Sequence, residues 1–539
     1  MVRRLCCMLV LLPLLGGKCG GGDGDGGGAL GVDLPTSDPR CVALADIGGF
    51  PPGYDFIPAA DGSAAPLQLL AATTARSKNL IPLAIEQIPF AVPSESAPLQ
   101  LPADSDGDGN VEFFKSIDDV VVLSSDLALV TVSGNFEGVL FVDPLGVSLR
   151  EARVVVPSGF DPASFTDFPG LPAPGASRTQ TGITSTACID AGVDSLDSRG
   201  VRLEDAVRPA FQCDGPGTFP ASFTAGAAAI GGRLFIAMSN VGVGPGQPDT
   251  QFLPGSVVVY DFDVADDSIA VGPTLDGPEG RPYLLTSGFN PTGLTGFRTP
   301  AGRDFLLVSH TGAIGIRADD PNTDALESGA LPITNGVIDI LDVEALELVA
   351  TIPLLDANPA FDRLAIDPTN RVALFGDVNA RRLYGIDLDV LSSIGPAGSG
   401  DPPEVLDSAI VFDGTNPLEL PALPGGAPET SCPGSIEGVG FNAVGDAVYA
   451  LDSCDGAVAA FQVDLRGAAS TAELRDRIVF SSLSPATAPL RIDTVDRLRR
   501  PSSLRVRPGV PGSDYGGPDV FFLIGEPEGY LCGVRIDSP

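Results

Sequence analysis

The chain has 539 residues, with 69 acidic side chains against 32 basic ones, a formal charge of −37 and a pI near 4.1. This charge excludes nucleic acid as a partner, because phosphate contacts need clusters of Lys and Arg, and it suits a solvated acidic surface or cation binding. The 66 Gly and 50 Pro are spread along the chain while hydrophobic residues reach 44%, which argues against disorder and favours an all-β fold with many turns.

The first 18 residues are similar to a signal peptide. Arg3 and Arg4 give a positive start, and the apolar core from Leu5 to Leu15 is far shorter than the ~20 residues of a spanning helix. Cys19 follows, and residues 19–40 form a Gly- and Asp-rich flexible tether. The arrangement resembles a bacterial lipoprotein signal, although Lys18 stands where such signals have a small residue. We predict export, with lipid on Cys19 at the outer membrane or cell surface as the only membrane contact, or a periplasmic location as the alternative.

The cysteine content agrees with export. Cys6 and Cys7 leave with the signal, and lipidation would use Cys19. The six remaining Cys form an even set, which predicts disulfides in an oxidising compartment, with 15 pairings open. Sequence spacing favours Cys188 with Cys213 and Cys432 with Cys454, which leaves Cys41 with Cys532.

The stretch DSDGDGNVE, residues 104–112, has the pattern of a calcium loop. Oxygen ligands alternate, Gly lets the chain bend sharply, and a carboxylate stands at the ninth position. Lys115 occupies the twelfth position, where an EF-hand has Glu, so the loop is similar instead to the Asp-rich loops of integrin-type propellers. We expect structural calcium, with an ion-free Asp/Gly turn as the alternative. The predicted ligands are Asp104, Asp106, Asp108, Asn110 and Glu112.

A repeated unit follows along the rest of the chain. Each unit has an apolar run, a turn and a second apolar run that ends in Asp. The second runs are EGVLFVD, GSVVVYD, GVIDILD, RRLYGID, GAVAAFQVD and GYLCGVRID. Period-2 alternation between polar turns predicts antiparallel four-stranded sheets, and radial repetition of such sheets makes a β-propeller. Six units are visible. We expect seven blades, the seventh from residues 41–116 with part of 150–221, and six blades as the alternative.

Two copies, RVALFGDVNARRLYGID and NGVIDILDVEALELVATIPL, resemble the YVTN family of bacterial β-propellers, related to the seven-bladed lactonase-type propellers. The resemblance covers about residues 117 to 539, but no copy has the full YVTN tetrad. It implies a single propeller domain over residues 41–539 with a long insertion at about 150–221. Closed propellers often complete the last blade with an N-terminal strand, so we expect the chain near Cys41 to pair with the last unit, clamped by Cys41–Cys532.

The turns between the second and third strands of the units all lie at one end of a propeller. The functional hypothesis is an acidic mouth that binds a metal or a cationic ligand; the structural one is that hairpin turns simply use Asp, Asn and Gly. These turns carry Asn135, Glu137, Asn240, Asp249, His310, Arg317, Asp319, Asp320, Asp377, Asn379, Asp452, Asp455, Glu526 and Glu528.

His310 is the only candidate for a near-neutral general base, because the chain has one His. With Arg317 and Asp319 it would serve a lactonase-like hydrolase; a structural His is the alternative. The sequence contains no Gly-x-Ser-x-Gly elbow, phosphate loop or dinucleotide fingerprint. We therefore predict a monomeric binding or scaffold module for a protein or small-molecule ligand at the propeller face, with the lactonase-like hydrolase as the alternative.

Overall fold

The computed structural model describes residues 41–44, 53–58, 68–72, 79–85, 99–100, 114–134, 137–160, 171–242, 251–265, 268–315, 331–332, 334–360, 362–391, 393–394, 403–406, 417–420, 436–452, 457–464, 471–479, 501–508, 520–524 and 529–534. These ranges are almost entirely β, which confirms the all-β prediction. The helical segments are α1 (Leu203–Ala206), α2 (Leu388–Leu391) and the 3-10 turns Pro209–Phe211 and Pro278–Gly280. No helix in these ranges is long and apolar enough to span a bilayer.

Seven sheets in the described ranges have four or more strands, and each starts from an innermost strand. Sheet 1 is β2 (Tyr54–Ile57), β3 (Gln68–Ala72), β4 (Asn79–Ala84) and β5 (Leu99–Gln100). Sheet 2 is β6 (Phe114–Ser124), β7 (Leu127–Gly134) and β8 (Gly138–Asp143), with β9 (Ser148–Leu149) and β12 (Gly182–Thr184) along its outer edge. Sheet 3 is β15 (Thr224–Ile230), β16 (Arg233–Met238), β19 (Pro254–Ala265) and β20 (Ser268–Pro273), joined by β10 (Ala152–Val155), β11 (Ser177–Gln180) and β21 (Tyr283–Phe289).

The other four large sheets follow the same plan. Sheet 4 is β22 (Pro291–Arg298), β23 (Asp304–His310), β26 (Val337–Asp342), β27 (Glu347–Pro353) and β31 (Glu404–Val405). Sheet 5 is β28 (Ala365–Ile366), β29 (Val372–Gly376), β30 (Arg382–Asp387) and β32 (Leu418–Glu419). Sheet 6 is β33 (Ile436–Phe441), β34 (Ala447–Asp452), β35 (Ala457–Asp464) and β36 (Thr471–Val479). Sheet 7 is β37 (Pro501–Val506), β38 (Val520–Ile524), β39 (Gly529–Val534) and β1 (Cys41–Leu44).

Three two-stranded sheets lie in the connections. They are β13 (Cys188–Asp190) with β14 (Thr218–Pro220), β17 (Val241–Gly242) with β18 (Gln251–Phe252), and β24 (Ile314–Gly315) with β25 (Leu331–Pro332). The stretch NGVIDILDVEALELVATIPL is thus β26 and β27, although its centre consists of good helix formers. Tertiary context decides, because both strands hydrogen-bond along their length and place Ile338, Ile340 and Ile352 in the core.

The seven large sheets are arranged as a closed ring. Innermost strands pack against their neighbours from β2 to β6, β15 and β22, and from β28 to β33 and β37. Leu364 N–H donates to Thr295 Oγ1 at 3.0 Å between sheets 4 and 5, and the Tyr54 hydroxyl donates to the Phe521 carbonyl at 2.7 Å between sheets 1 and 7. Radially packed antiparallel sheets make this chain a β-propeller. The number of blades stays a prediction, which seven sheets of this size support.

The N-terminal strand completes the last sheet. β1 pairs antiparallel with β39, and the register sets Cys41 opposite Cys532. Cys532 is disulfide-bonded. The sequence analysis expected this strand pairing, and the register confirms it. The first and the last described strands are therefore joined within one sheet.

The insertion joins sheets 2 and 3. Both β9 and β12 pair with β8, and between them the β10–β11 hairpin crosses to sheet 3, where β10 runs parallel to β20. Val154 and Val156 enter the core that contains Phe141 and Tyr260. A disulfide between Cys188 and Cys213, with a Cα–Cα distance of 5.9 Å, closes the second half of the insertion. In the described ranges, the strands of sheet 1 come from residues 54–100, and no strand of 150–221 pairs with them. The described strands therefore do not support the expected share of 150–221 in a seventh blade.

A methyl group at Gly272 should weaken the contact between the insertion and sheet 3. A Cβ there would lie 2.0 Å from the Val155 carbonyl oxygen, a backbone atom that cannot move alone. We expect Gly272→Ala to lower the free energy of unfolding by about 2 kcal/mol, measured by urea unfolding. Gly159→Ala is the matched control, because its Cβ would meet only Leu275 Cδ1, at 3.7 Å. Equal stability of the two variants would contradict the assigned contact.

Candidate functional site

His310 lies at the end of β23 and is completely buried. Its Nδ1 donates to the Val337 carbonyl at 3.1 Å, and Gly288 covers the ring so closely that a Cβ there would lie 2.7 Å from His310 Cγ. Burial lowers the pKa of the imidazole, although Asp339 opposes this. The predicted partners Arg317 and Asp319 lie outside the described residues. A sealed, neutral imidazole is poorly suited to be the general base that the sequence suggested, because substrate cannot reach it.

Asp339 is the acidic neighbour of His310 in the described ranges. Its Oδ2 lies 3.6 Å from His310 Nε2 and accepts the Ser287 N–H at 2.7 Å, while its Oδ1 accepts the Ser287 hydroxyl. Asp339 is buried, and Ser287 lies on β21, the strand that leads from sheet 3 to sheet 4. The carboxylate thus anchors this connection. Sequence reasoning missed both residues, although an Asp inside the apolar run VIDIL was a detectable signal of a buried, partnered acid.

Removing the imidazole should flatten the response of the fold to mild acid. The unfolded His has a pKa of about 6.5, and burial lowers the folded value. Stability from His310 is therefore present above pH 6.5 and is lost as pH falls toward the folded pKa, at up to about 1.4 kcal/mol per pH unit. We expect the unfolding free energy of His310→Gln to fall less between pH 7 and 5 than that of the wild type. Because the chain has one His, a single imidazole NMR signal reports the same pKa directly; a value above 6.5 would contradict the burial argument.

The described residues of the predicted acidic mouth do not form an open acidic surface. Glu137, Asn240, His310, Asp377 and Asp452 are at most 9% exposed. They hold loops together: Glu137 accepts the Phe223 N–H of the strand entering sheet 3, and Asp452 Oδ2 accepts from Arg381 Nε at 3.1 Å between sheets 6 and 5. Asn379 is also described and is partly buried, and its N–H donates to Asp377 Oδ1 at 2.9 Å. The remaining members lie outside the described residues: Asn135, Asp249, Arg317, Asp319, Asp320, Asp455, Glu526 and Glu528. The described positions therefore support loop packing rather than an acidic mouth.

A second set of charged residues, the axial cluster, lies where innermost strands meet around the centre of the ring. It consists of Asp55, Asp119, Asp362, Arg363 and Arg505. Arg363 Nη2 contacts Asp119 Oδ1 at 2.8 Å, and its Nη1 contacts Asp55 Oδ2 at 3.3 Å. Arg505 Nη1 contacts Asp362 Oδ2 at 2.5 Å. These pairs connect sheet 5 with sheets 1, 2 and 7, which makes the cluster a set of ties across the ring.

Burial and ion pairing act in opposite directions on the axial cluster. Its side chains are only 9–21% exposed. Burial raises the pKa of Asp119, and Arg363 offsets this only in part. Burial also disfavours the charge on Arg505, but Asp362 outweighs it and raises the pKa of that guanidinium. Charges that have lost most of their water depend on one another, so each partner is costly to remove.

The predicted calcium ligands, residues 104–112, lie outside the described residues, as do Cys19, Cys432 and Cys454. The described ranges contain no group of three or more His, Cys, Asp or Glu side chains arranged to hold a metal ion. The site that the structure does assemble consists of the loop contacts around Asp377 and the axial cluster. Both are polar. Asp377 contacts the connection from sheet 4 next to its own sheet, and the axial cluster joins sheets that lie across the ring.

Comparison with known proteins gives similarities to solved structures alone. No family model and no curated protein matches the sequence. Among solved structures, the chain is similar to the β-propeller domain of Cps50 (Swd1) from Myceliophteria thermophila, at 10% identity and a TM-score of 0.40, over 91% of this chain and 98% of that one. It is similar to the periplasmic gluconolactonase PpgL of Pseudomonas aeruginosa at 14% identity and a TM-score of 0.32, over 60% and 74%. The Dos1 propeller gives 10% identity and a TM-score of 0.37, over 93% and 95%. None of these similarities assigns an activity to this chain.

Proposed function

We propose that this protein is an exported β-propeller that serves as a binding or scaffold module at the cell envelope, held there by lipid on Cys19. The observation that carries the binding interpretation is that the polar side chains near the axis are occupied by contacts within the fold. Arg363 and Arg505 are committed to carboxylates of other sheets, and His310 is sealed under Gly288. A ring tied in this way offers a rigid support on which loops can bind a protein or a small molecule.

A lactone-hydrolysis assay separates this function from the alternative hydrolase. We expect wild type and His310→Ala to give equal and negligible rates, because the buried ring cannot accept a proton from a substrate-bound water. A wild-type rate well above background that His310→Ala abolishes would favour the hydrolase and contradict the proposal. Circular dichroism of both proteins is the control for folding.

The anchor has its own test. Expression of the full chain in a Gram-negative host with labelled palmitate should label the wild type and leave Cys19→Ser unlabelled. Fractionation then distinguishes the outer membrane from the periplasm. Absence of label on an exported wild type would replace the lipoprotein with an ordinary secreted protein and would leave the binding function untouched.

Structural calcium at residues 104–112 belongs to the same proposal. The alternating oxygen ligands of Asp104, Asp106 and Asp108 are the basis for it. Calorimetric titration of the calcium-stripped protein should detect binding in the weak extracellular range, about 10⁻⁴–10⁻³ M, and Asp106→Asn should weaken it. A titration with no heat of binding in that range would remove the site.

A further inference from the structure

Asp377 lies at a junction of three sheets. It follows β29 directly, and its carboxyl group is completely buried. Oδ1 accepts the N–H of Asn379, in its own hairpin, at 2.9 Å, and the N–H of Asn358, in the connection from sheet 4, at 3.2 Å. Its backbone carbonyl accepts the N–H of Ile436, the first residue of sheet 6, at 3.0 Å. In the described ranges, Oδ2 has no hydrogen-bond partner.

Asn358 extends the junction into sheet 4. Its Nδ2 donates to the Thr311 carbonyl at 2.6 Å and to the Thr334 carbonyl at 2.8 Å, and its Oδ1 accepts Asn379 Nδ2 at 2.7 Å. The segments around Asn358 and Asn379 are therefore held by one interlocked set of bonds, and the Asp377 carboxyl lies at its centre. A change in the charge of that group acts on both segments together.

The surroundings of the carboxyl favour its neutral form. Burial raises the pKa of Asp377 to about 6, and the N–H groups of Asn379 and Asn358 lower it less than burial raises it. Arg382 on β30 is the facing cation and adds a further, smaller lowering. Tyr384, also on β30, and Asp356 in the sheet 4 connection are the other titratable groups at this junction. The nearby Arg381 is paired with Asp452.

We propose that Asp377 is a proton-operated catch that keeps residues 357–360 and 377–381 closed when its carboxyl is protonated and loosens both segments when it ionises. The geometry supports this, because an ionised Oδ2 would be a fully buried charge with no hydrogen-bond donor among the described residues. Outward movement of the hairpin hydrates the charge and breaks the Asn379–Asn358 bond. The device belongs to the fold and does not depend on which ligand the propeller binds.

Hydrogen exchange of the full chain at pH 5.0 and 7.5, corrected for intrinsic exchange rates, tests the catch. In the wild type, we expect protection of peptides covering 357–360 and 377–381 to fall by about tenfold or more on going to pH 7.5, since a pKa raised by two units corresponds to about a hundredfold at most. Asp377→Asn should show no such change, because it cannot ionise. Asp389→Asn is the matched control and should behave as the wild type, because Asp389, in α2 next to sheet 5, forms a surface ion pair with Arg371.

Wild-type protection that does not depend on pH, or a pH dependence that Asp377→Asn retains, would each contradict the proposal. If Asp377→Asn does not fold, Asp377→Ser provides the second test, because the hydroxyl keeps an acceptor for Asn379 N–H and does not titrate in this range. A change spread evenly over all seven sheets would also contradict it, since the catch acts on two segments.

Discussion

Replacing Arg363 with Met is expected to lower the free energy of unfolding by about 3 kcal/mol. The substitution keeps most of the side-chain volume and removes the guanidinium that contacts Asp119 at 2.8 Å, Asp55 at 3.3 Å and the Val120 carbonyl at 2.6 Å. Both carboxylates are at most 20% exposed. Each carboxyl group would lose its cationic partner while little water surrounds it, so the loss exceeds the value of the ion pairs themselves.

Urea unfolding followed by circular dichroism measures this loss. Arg371→Met is the matched control, because Arg371, directly before β29, forms the same kind of pair with Asp389 in α2, but with half of its side chain exposed. We expect little change in the midpoint of that control, since solvent screens exposed pairs. Two variants with similar midpoints would contradict the assignment of the axial cluster as a structural tie.

A double-mutant cycle identifies the source of the effect. Asp119→Asn in the Arg363→Met background removes the charge that was left without its partner, so the double variant should recover part of the lost stability. We expect a coupling energy of about 1–3 kcal/mol between the two positions. Purely additive losses would instead indicate that Arg363 acts through its packing.

The fold was largely predictable because most sheets repeat one pattern. The Asp that ends a third strand marked β8, β19, β26, β30, β35 and the unit containing β39. Sheet 1 does not follow this pattern, because its strands β3 (QLLAA) and β4 (NLIPLA) do not end in Asp. The crossing of β10 to sheet 3 was also hidden, since its parallel pairing with β20 joins residues more than 110 positions apart. Local sequence contains no information on such a partner.

The site was predictable only in part. The turn residues were found, but Asp339, which contacts His310, lies inside a strand and not in a loop. The axial cluster is indicated by a sequence pattern, because FDRLAID and SIDDVVV place charged residues at the start of apolar innermost strands. Its pairing could not be read, since Arg363 contacts Asp55 across 308 positions only once the ring has closed. The contacts at the axis form only when the ring closes, and the ring itself was predicted from the repeated unit.

Deleting residues 1–44 should lower the stability of the fold by more than Arg363→Met does, because the deletion opens the ring. β1 pairs with β39 over four residues, and the neighbouring Leu531 and Cys532 are completely buried. The deletion exposes this edge of sheet 7 and removes Cys41. Among the described residues, contacts such as the Tyr54 hydroxyl to the Phe521 carbonyl would still join sheets 1 and 7. If Cys41 is the disulfide partner of Cys532, as the sequence predicts, loss of the closed loop alone is worth about 5 kcal/mol in the chain-entropy model.

The matched control for this deletion is a chain that begins at residue 41. It lacks the predicted signal and tether but keeps β1, so we expect its thermal midpoint to equal that of the mature wild type. The chain that begins at residue 45 should unfold at a much lower temperature and over a broader range, because an open arc of sheets lacks the cooperativity that closure imposes. Sharp unfolding at an unchanged midpoint would mean that contacts between sheets 7 and 1 hold the ring without β1, and that the strand only covers an edge.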